Sequence, residues 1–285
     1  MPETWSSRMN QTSSRNRCLR LPTGVAVIAV AFAVALAAAA PTAAAPTPAP
    51  QTKPTVVLVH GAFAESSSWN PVITQLAGEG YPVIAVANPL RGVKTDAAYV
   101  ADVLKTIQGP VVLVGHSYGG LVISAAATGN DNVKALVYVA GFAPEPGESG
   151  ATLSGKFPGS TLSETLAPPV ALAGGGNDIY IQQDKFWKQF AADVPEAQAK
   201  DMAATQRPVT QAGLTEAFQG EPAWKSIPTY FIYGSLDKNI PAQVHAFMAQ
   251  RAGAKQTVAV DGASHVVMIS HPQEVAKMIT DAASQ

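Results

Sequence analysis

The stretch from Val111 to Gly120 constrains this chain more than any other feature. It reads VVLVGHSYGG and runs into an alanine-rich helical pattern over residues 120–128. The apolar, mostly β-branched run predicts a buried strand, the glycines permit a sharp turn, and the pattern after them predicts a helix. A serine at the apex of such a turn displays its hydroxyl beyond the sheet edge, above the N–H groups at the start of the helix. The five-residue pattern alone could arise by chance, but its strand and helix context identifies Ser117 as a candidate nucleophile.

The rest of the chain alternates between short apolar runs and helical patterns. Strands buried on both faces are predicted at residues 56–60, 83–87, 111–115, 133–140, 229–233 and 257–260. Helices are predicted at residues 70–77, 96–107, 120–128, 242–251 and 273–283. This alternation predicts an α/β fold with a mostly parallel six-stranded sheet and helices on both faces. Residues 141–227 break the alternation, and we expect them to form a helical lid insertion.

The N-terminal region is typical of a secretory signal peptide. Four arginines precede a long uncharged, alanine-rich run that ends in small residues, so residues 1–45 are predicted to be removed on export. The run is also long enough to span a bilayer, and a retained anchor is the alternative. Residues 46–54 are rich in proline and alanine and are predicted to be a linker, which leaves residues 55–285 as the catalytic domain. The single cysteine, Cys18, lies within the predicted signal peptide.

Charge and residue spacing argue against several kinds of partner. Without residues 1–45 the chain carries 15 basic and 19 acidic side chains, a formal net charge of −4. It has no basic run of the kind that binds nucleic acid or an anionic membrane. The five histidines do not show the spacing of metal ligands, and we expect neither a metal nor another cofactor. The expected partner is a small molecule, without stable membrane association once the signal peptide is removed.

Residues 55–283 resemble the α/β-hydrolase superfamily. The runs HGAFAESSSW, GHSYGG and FAPEPGES are similar to the branch that contains methylesterases and hydroxynitrile lyases. The resemblance implies the strand order 2-1-3-4-5-6. That order would bring the loop after the first strand, with His60, Gly61 and Ala62, beside Ser117 at the point where such sheets bind ligands.

A serine nucleophile needs a base and an acid that orients the base. His265, on the loop after the last predicted strand, is the candidate base. Asp237, after the fifth predicted strand, is the candidate acid. The alternatives for the acid are Asp261, which is close to His265 in sequence, and two glutamates after the fourth strand, Glu145 and Glu148.

The predicted oxyanion hole consists of backbone N–H groups. The donors are those of Tyr118, the residue after the nucleophile, and Ala62 on the first loop. Phe63 is the alternative to Ala62. Phe63, Phe142 and Trp187 are predicted to line the substrate pocket, and the Tyr118 ring could join them.

These features predict a secreted or periplasmic serine hydrolase. It would cleave carboxylic esters of small hydrophobic substrates through an acyl-enzyme on Ser117. A cyanohydrin lyase is one alternative, but the lyases of the resembling branch carry a threonine and a lysine where this chain has Gly61 and Val266. A non-catalytic small-molecule receptor on the same fold is the other. Related dehalogenases and epoxide hydrolases need an aspartate at the position of Ser117, which excludes them.

Overall fold

The computed structural model of the protein describes residues 53–284. The predicted signal peptide and most of the predicted linker lie outside these residues. The strands are β1 (Thr55–Val59), β2 (Val83–Val86), β3 (Val111–His116), β4 (Val133–Val139), β5 (Val170–Ala171), β6 (Asn177–Ile179), β7 (Val209–Thr210), β8 (Thr229–Gly234) and β9 (Gln256–Val260). The helices are α1 (Asn70–Gly78), α2 (Val93–Lys105), α3 (Gly119–Ala126), α4 (Gly150–Ser154), α5 (Gln183–Phe190), α6 (Glu196–Thr205), α7 (Gln211–Thr215), α8 (Ala242–Arg251), α9 (Val267–Ser270) and α10 (Pro272–Ala283). Short 3-10 helices cover Ser66–Trp69, Leu162–Thr165 and Ala223–Lys225.

Six strands form one parallel sheet in the order β2-β1-β3-β4-β8-β9. This confirms the predicted order, with β8 and β9 as the fifth and sixth predicted strands. The central strands β3 and β8 are buried along their whole length. Full burial of one valine or leucine contributes about 1.5–3 kcal/mol, so the apolar runs of these strands hold the centre of the domain together.

The edge strands depart from the prediction of burial on both faces. In β9 half-buried positions alternate with exposed ones, and in β2 one residue of four, Ile84, is exposed. Each edge strand has a hydrogen-bonded neighbour on one side only. Side chains of these edge strands are therefore more exposed than those of the central strands β3 and β8.

The helices form two groups against the sheet. In one, α2 packs on α3, and in the other, α1 packs on α10. Helix α10 buries Val275, Met278, Ile279 and Ala282, whose spacing of three or four residues forms a single apolar stripe. Proline at its first position needs no hydrogen-bond acceptor and fixes where the helix starts. Among residues 53–284, no helix is long and apolar enough to cross a bilayer.

The segment between β4 and β8 contributes no strand to the parallel sheet, but it is not purely helical. It contains α4 to α7 together with a separate antiparallel sheet in the order β5-β6-β7. Strands β5 and β6 are joined by a turn in which Gly175 and Gly176 have φ of 89° and 81°, a region that favours glycine. The expectation of a helical insertion is therefore corrected to a mixed one, which we call the inserted segment (residues 140–228).

Candidate active site

Ser117 lies at the apex of a tight turn between β3 and α3. Its φ is +52°, a conformation that costs a non-glycine residue about 1–3 kcal/mol. The turn closes only because its neighbours lack side chains: a Cβ on Gly119 would lie 2.4 Å from the Val59 carbonyl oxygen, and one on Gly115 would lie 2.6 Å from the Gly119 carbonyl oxygen. The strand, the turn and the helix thus hold the serine in one place, at the carboxyl edge of the sheet.

His265 and Asp237 meet over the same edge. Asp237 follows β8, His265 follows β9, and these two strands are neighbours. The His265 Nδ1–H donates to Asp237 Oδ2 over 2.6 Å, and both side chains are buried. This bond assigns the proton of a neutral His265 to Nδ1 and leaves Nε2 as the acceptor. His265 and Ser117 line the same cavity, although within residues 53–284 the serine hydroxyl makes no hydrogen bond to the imidazole. Such bonds often tighten only when substrate is bound.

Asp237 is an ionised carboxylate with four donors. Besides His265, its Oδ1 accepts the backbone N–H groups of Asn239 (2.8 Å) and Ile240 (3.0 Å), and its Oδ2 accepts His245 Nε2–H (3.2 Å). Burial by itself would raise the pKa of Asp237, but the nearby His265 and the hydrogen bonds from both histidines outweigh burial and lower it. The side chain therefore carries its negative charge throughout the neutral range.

The other acids considered in the sequence do not reach His265. Asp261 is exposed and accepts a hydrogen bond from Ser235 Oγ over 3.2 Å. Glu145 and Glu148 lie at the start of the inserted segment. Glu145 forms an ion pair with Lys225, and Glu148 forms one with Arg251 of α8. Of these carboxylates, only that of Asp237 contacts the histidine.

Two backbone N–H groups beside Ser117 are free to bind a substrate oxygen. In the described part of the chain, neither the Ala62 N–H nor the Tyr118 N–H has a hydrogen-bond acceptor. The two groups are close together, because a Cβ on Gly61 would lie 3.1 Å from the Tyr118 nitrogen. The Phe63 N–H, the alternative to Ala62, already donates to the Arg207 carbonyl oxygen over 3.0 Å. The geometry thus favours Ala62 and Tyr118 as the pair.

His60 holds the first of these loops in place. Its Nδ1–H donates to the Gly61 carbonyl oxygen and its Nε2 accepts the Asn88 N–H, both over 3.0 Å, so the ring is neutral. The Asn88 side-chain amide donates a hydrogen bond to the His60 carbonyl oxygen (2.9 Å). Burial is the main cause that lowers the pKa of His60 to about 4. Asn88 was not singled out from the sequence, and no motif there would have identified it.

A cavity of about 490 Å³ opens onto Ser117 and His265. Within residues 53–284, the lining contains no acidic side chain, no lysine and no arginine, and its one histidine is His265. The large apolar residues of the lining are Phe63, Phe142, Leu162, Leu166, Ile179, Phe190, Leu214 and Ile240. Most of these come from the inserted segment, which therefore shapes the space in front of the serine.

The aromatic residues predicted for the pocket lie in different places. Phe63 and Phe142 line the cavity. Trp187 does not: its indole N–H donates to the Val194 carbonyl oxygen over 2.9 Å, which holds the ring inside the inserted segment. The Tyr118 ring is fully buried, and its hydroxyl donates to Asp96 Oδ2 over 2.8 Å, away from the cavity. These two placements correct the predicted substrate contacts.

Two residues near His265 were not predicted from the sequence to belong to the site. Phe190, at the end of α5, packs its ring edge-to-face on His265 with centroids 5.1 Å apart and also lines the cavity. His245 contacts Asp237 from α8. In the sequence both belong to helical patterns that look like ordinary packing, and only the tertiary fold brings them to the site. No group of three or more potential metal-binding side chains occurs within residues 53–284.

Comparison with known proteins gives a consistent relationship. A pyrethroid hydrolase of Sphingobium wenxiniae is 27% identical over 250 residues, covering 81% of this chain and 88% of the relative. An alpha-hydroxynitrile lyase of Arabidopsis thaliana is 24% identical over 246 residues, covering 79% of this chain and 95% of the relative. The crystal structure of polyneuridine aldehyde esterase superposes with a TM-score of 0.69 at 20% identity, over 81% of this chain and 99% of that one.

The activities named for these proteins differ, since one is named as a lyase, one as a hydrolase and one as an esterase. A sequence model of the alpha/beta hydrolase family matches residues 56–278, which span all six strands of the parallel sheet. The chain belongs to the alpha/beta hydrolase family.

Proposed function

We propose that the protein is a serine hydrolase that cleaves neutral carboxylic esters with hydrophobic groups. The observation that carries the proposal is the cavity that Ser117 and His265 both line, together with the 2.6 Å between His265 Nδ1 and the buried carboxylate of Asp237. A serine hydroxyl needs such a base to attack an ester carbonyl. The pyrethroid hydrolase and esterase among the related proteins support the same chemistry.

In this mechanism each residue of the site has a defined role. His265 Nε2 takes the proton as Ser117 Oγ attacks the ester carbonyl carbon, and the Ala62 and Tyr118 N–H groups stabilise the negative oxygen of the tetrahedral intermediate. His265 then gives the proton to the leaving alcohol, and the acyl group stays on Ser117. A water activated by the same histidine hydrolyses this acyl-enzyme. Asp237 keeps the imidazole in the correct tautomer and stabilises its positive form.

The cavity lining indicates the substrate class. Large apolar side chains make up much of the lining, and uncharged polar ones such as Gln211 and Asn239 contribute to the rest. Among the lining residues from the described chain, His265 is the one titratable group. A carboxylate-bearing or cationic substrate would find no opposite charge there, whereas aryl and alkyl groups would be desolvated favourably. We therefore assign neutral hydrophobic esters to the site. The predicted signal peptide adds the proposal that the enzyme acts outside the cytoplasm.

A lyase reaction on cyanohydrins has less support. Its support is the sequence similarity to the alpha-hydroxynitrile lyase of Arabidopsis thaliana. The lyases' threonine would fall at Gly61, where even a Cβ would lie 2.6 Å from the Cβ of Ser117. Their lysine would fall at Val266, which is fully buried and apolar. Both positions therefore favour ester hydrolysis.

The test is a panel of p-nitrophenyl esters with acyl chains from acetyl to decanoyl. We expect the wild-type protein to hydrolyse them and Ser117→Ala to lose at least a thousandfold in kcat. Ser163→Ala is the matched control, because Ser163 lines the same cavity and has no role in the mechanism. Wild-type protein without turnover that still binds the esters would indicate a receptor. Cleavage of mandelonitrile with no ester hydrolysis would indicate a lyase.

A further inference from the structure

A second histidine contacts the carboxylate that orients His265. His245, on α8, places Nε2 3.2 Å from Asp237 Oδ2, the same oxygen that His265 contacts. Neither His245 nor Asp237 exposes any side-chain surface. His245 does not line the cavity and therefore does not touch a substrate bound there.

The surroundings of His245 define its state. An ionised carboxylate only accepts hydrogen bonds, so the proton of a neutral His245 is on Nε2. Its Nδ1 is buried and has no partner within residues 53–284, so a second proton there would be an unsatisfied donor. The ring stacks on Tyr233 of β8, with centroids 4.8 Å apart and an interplanar angle of 18°. Tyr233 thus fixes the plane in which His245 donates.

We propose that His245 is a positioning residue that donates a neutral hydrogen bond to Asp237 and so tunes how strongly Asp237 holds His265. The inference rests on the proposed function. His245 neither gains nor loses a proton during the reaction. Its N–H completes the four donors around Asp237, holds Oδ2 toward His265 and disperses part of the negative charge on that oxygen.

The sign of the effect follows from the charges that face His245. The titratable groups around it are Asp237 after β8, His265 after β9 and Tyr233 on β8. Loss of the His245 donor would leave more negative charge on Oδ2, which would stabilise protonated His265. The acidic midpoint of the kcat profile should then move to higher pH. Loss of the His245 donor should also lower kcat, because the Asp237 carboxylate is then held less firmly.

Two substitutions separate the hydrogen bond from the packing. His245→Phe keeps an aromatic ring to stack on Tyr233 and removes the donor. His245→Gln keeps an N–H donor and removes the ring. We expect His245→Phe to lower kcat on p-nitrophenyl butyrate about tenfold, with KM changed less than twofold and the acidic midpoint raised. His245→Gln should retain most of the wild-type kcat and its midpoint.

The opposite pattern overturns the proposal. If His245→Phe keeps wild-type kcat and midpoint, or if His245→Gln is the more impaired variant, the residue serves packing only. Rates are expressed per Ser117 that reacts with a fluorophosphonate, so that misfolded protein does not count. If His245→Phe does not fold, nitrogen-15 NMR of the wild type decides, and a proton on Nδ1 instead of Nε2 overturns the proposal. Absence of ester hydrolysis in the wild type would refute the proposed function instead.

Discussion

Gly61 controls the position of Ser117 although it has no side chain. A Cβ on Gly61 would lie 2.6 Å from the Cβ of Ser117 and 2.7 Å from the His116 carbonyl oxygen. The His116 oxygen is backbone and Ser117 is held by its turn, so Gly61→Ala must push the two loops apart. We expect kcat/KM to fall about 100-fold, since a displacement near 1 Å has that effect on a preorganised site. Steady-state kinetics on p-nitrophenyl butyrate measures it.

Gly78→Ala is the control for this substitution. Gly78 is the last residue of α1, and no atom of residues 53–284 lies within 4 Å of a Cβ built on it. At this helix end the change should stabilise the protein by less than the roughly 0.5–1 kcal/mol of a mid-helix glycine and leave kinetics unchanged. Wild-type kinetics in Gly61→Ala would show that the first loop does not contact the turn as described.

Asp237 contacts His265 in the structure and Asp261 is close to it only in sequence, so the two aspartates offer a direct comparison. Asp237→Asn would present an amide N–H where an acceptor is needed and favour the wrong tautomer of the imidazole. In a serine protease the comparable change lowers kcat on the order of 10⁴-fold, and we expect a loss of similar size here. Asp261→Asn should change kcat less than twofold, because its carboxylate is exposed and contacts Ser235. The kcat values of both variants, measured side by side, decide which aspartate orients the base.

At the level of elements, long apolar runs were predictable and short irregular pieces were not. Strands β3 and β8 are buried throughout, and β1 and β4 are buried except at Thr55 and Lys134. The sequence GHSYG can fold in few ways between a strand and a helix. Strands β5, β6 and β7 have only two or three residues each. Runs this short have no readable periodicity, so the small antiparallel sheet was missed.

Placement of side chains in the inserted segment also required the structure. Phe186, Trp187 and Phe190 all belong to α5, and nothing in their sequence says which one faces the histidine. Only Phe190 lines the cavity. The positions of His265 and Asp237 could be anticipated because the carboxyl ends of neighbouring parallel strands meet at one edge.

Helix α4 presents small residues to the cavity, including Gly150, Ala151 and Ser154. We expect this helix to set how large an acyl group can enter. Ala151→Leu adds three carbon atoms at the cavity wall and should lower kcat/KM for the octanoyl ester relative to the acetyl ester by about tenfold, the low end of the roughly 10–200-fold that one extra methylene can cause. The ratio of the two kcat/KM values is the measurement.

Ala212→Leu is the matched control. Ala212 is also an exposed helical alanine of the inserted segment, on α7, but it does not line the cavity. The ratio of kcat/KM for the octanoyl ester to that for the acetyl ester should be the same in Ala212→Leu as in the wild type. Equal losses on both esters in Ala151→Leu would point to a general disturbance of the inserted segment and contradict a role in acyl selection.

For the whole molecule, buried histidines link stability to pH. His60, His116 and His245 are fully buried, and burial is the largest cause that lowers the pKa of each one. In the unfolded chain these histidines titrate near 6.5. The folded protein therefore binds fewer protons than the unfolded chain in mildly acidic solution, and stability falls as the pH drops below that value.

His60 allows an estimate of the size of this effect. Its pKa falls from 6.5 unfolded to about 4 folded, so its contribution is fully present above pH 6.5 and is lost as the pH falls toward 4. Between pH 7.5 and 5 this one residue should reduce the free energy of unfolding by about 2 kcal/mol. Asp237 has the opposite chemistry: its lowered pKa adds stability above its ordinary value of 3.8, which is lost only in stronger acid. Asp237 therefore does not contribute to the change in stability between pH 7.5 and 5, which comes from the histidines.

The measurement is urea unfolding, followed by tryptophan fluorescence, at several pH values between 7.5 and 5. His60→Gln removes the titrating ring, while its amide can still donate to Gly61 and accept from Asn88. Its free energy of unfolding should be lower than that of the wild type at pH 7.5 but should fall less on acidification, by about 2 kcal/mol. If the wild type is equally stable at both ends of this range, or if His60→Gln loses as much stability as the wild type, His60 is not buried and neutral in the folded protein. The hydrogen bonds between His60 and Asn88 would then not hold the first loop as described.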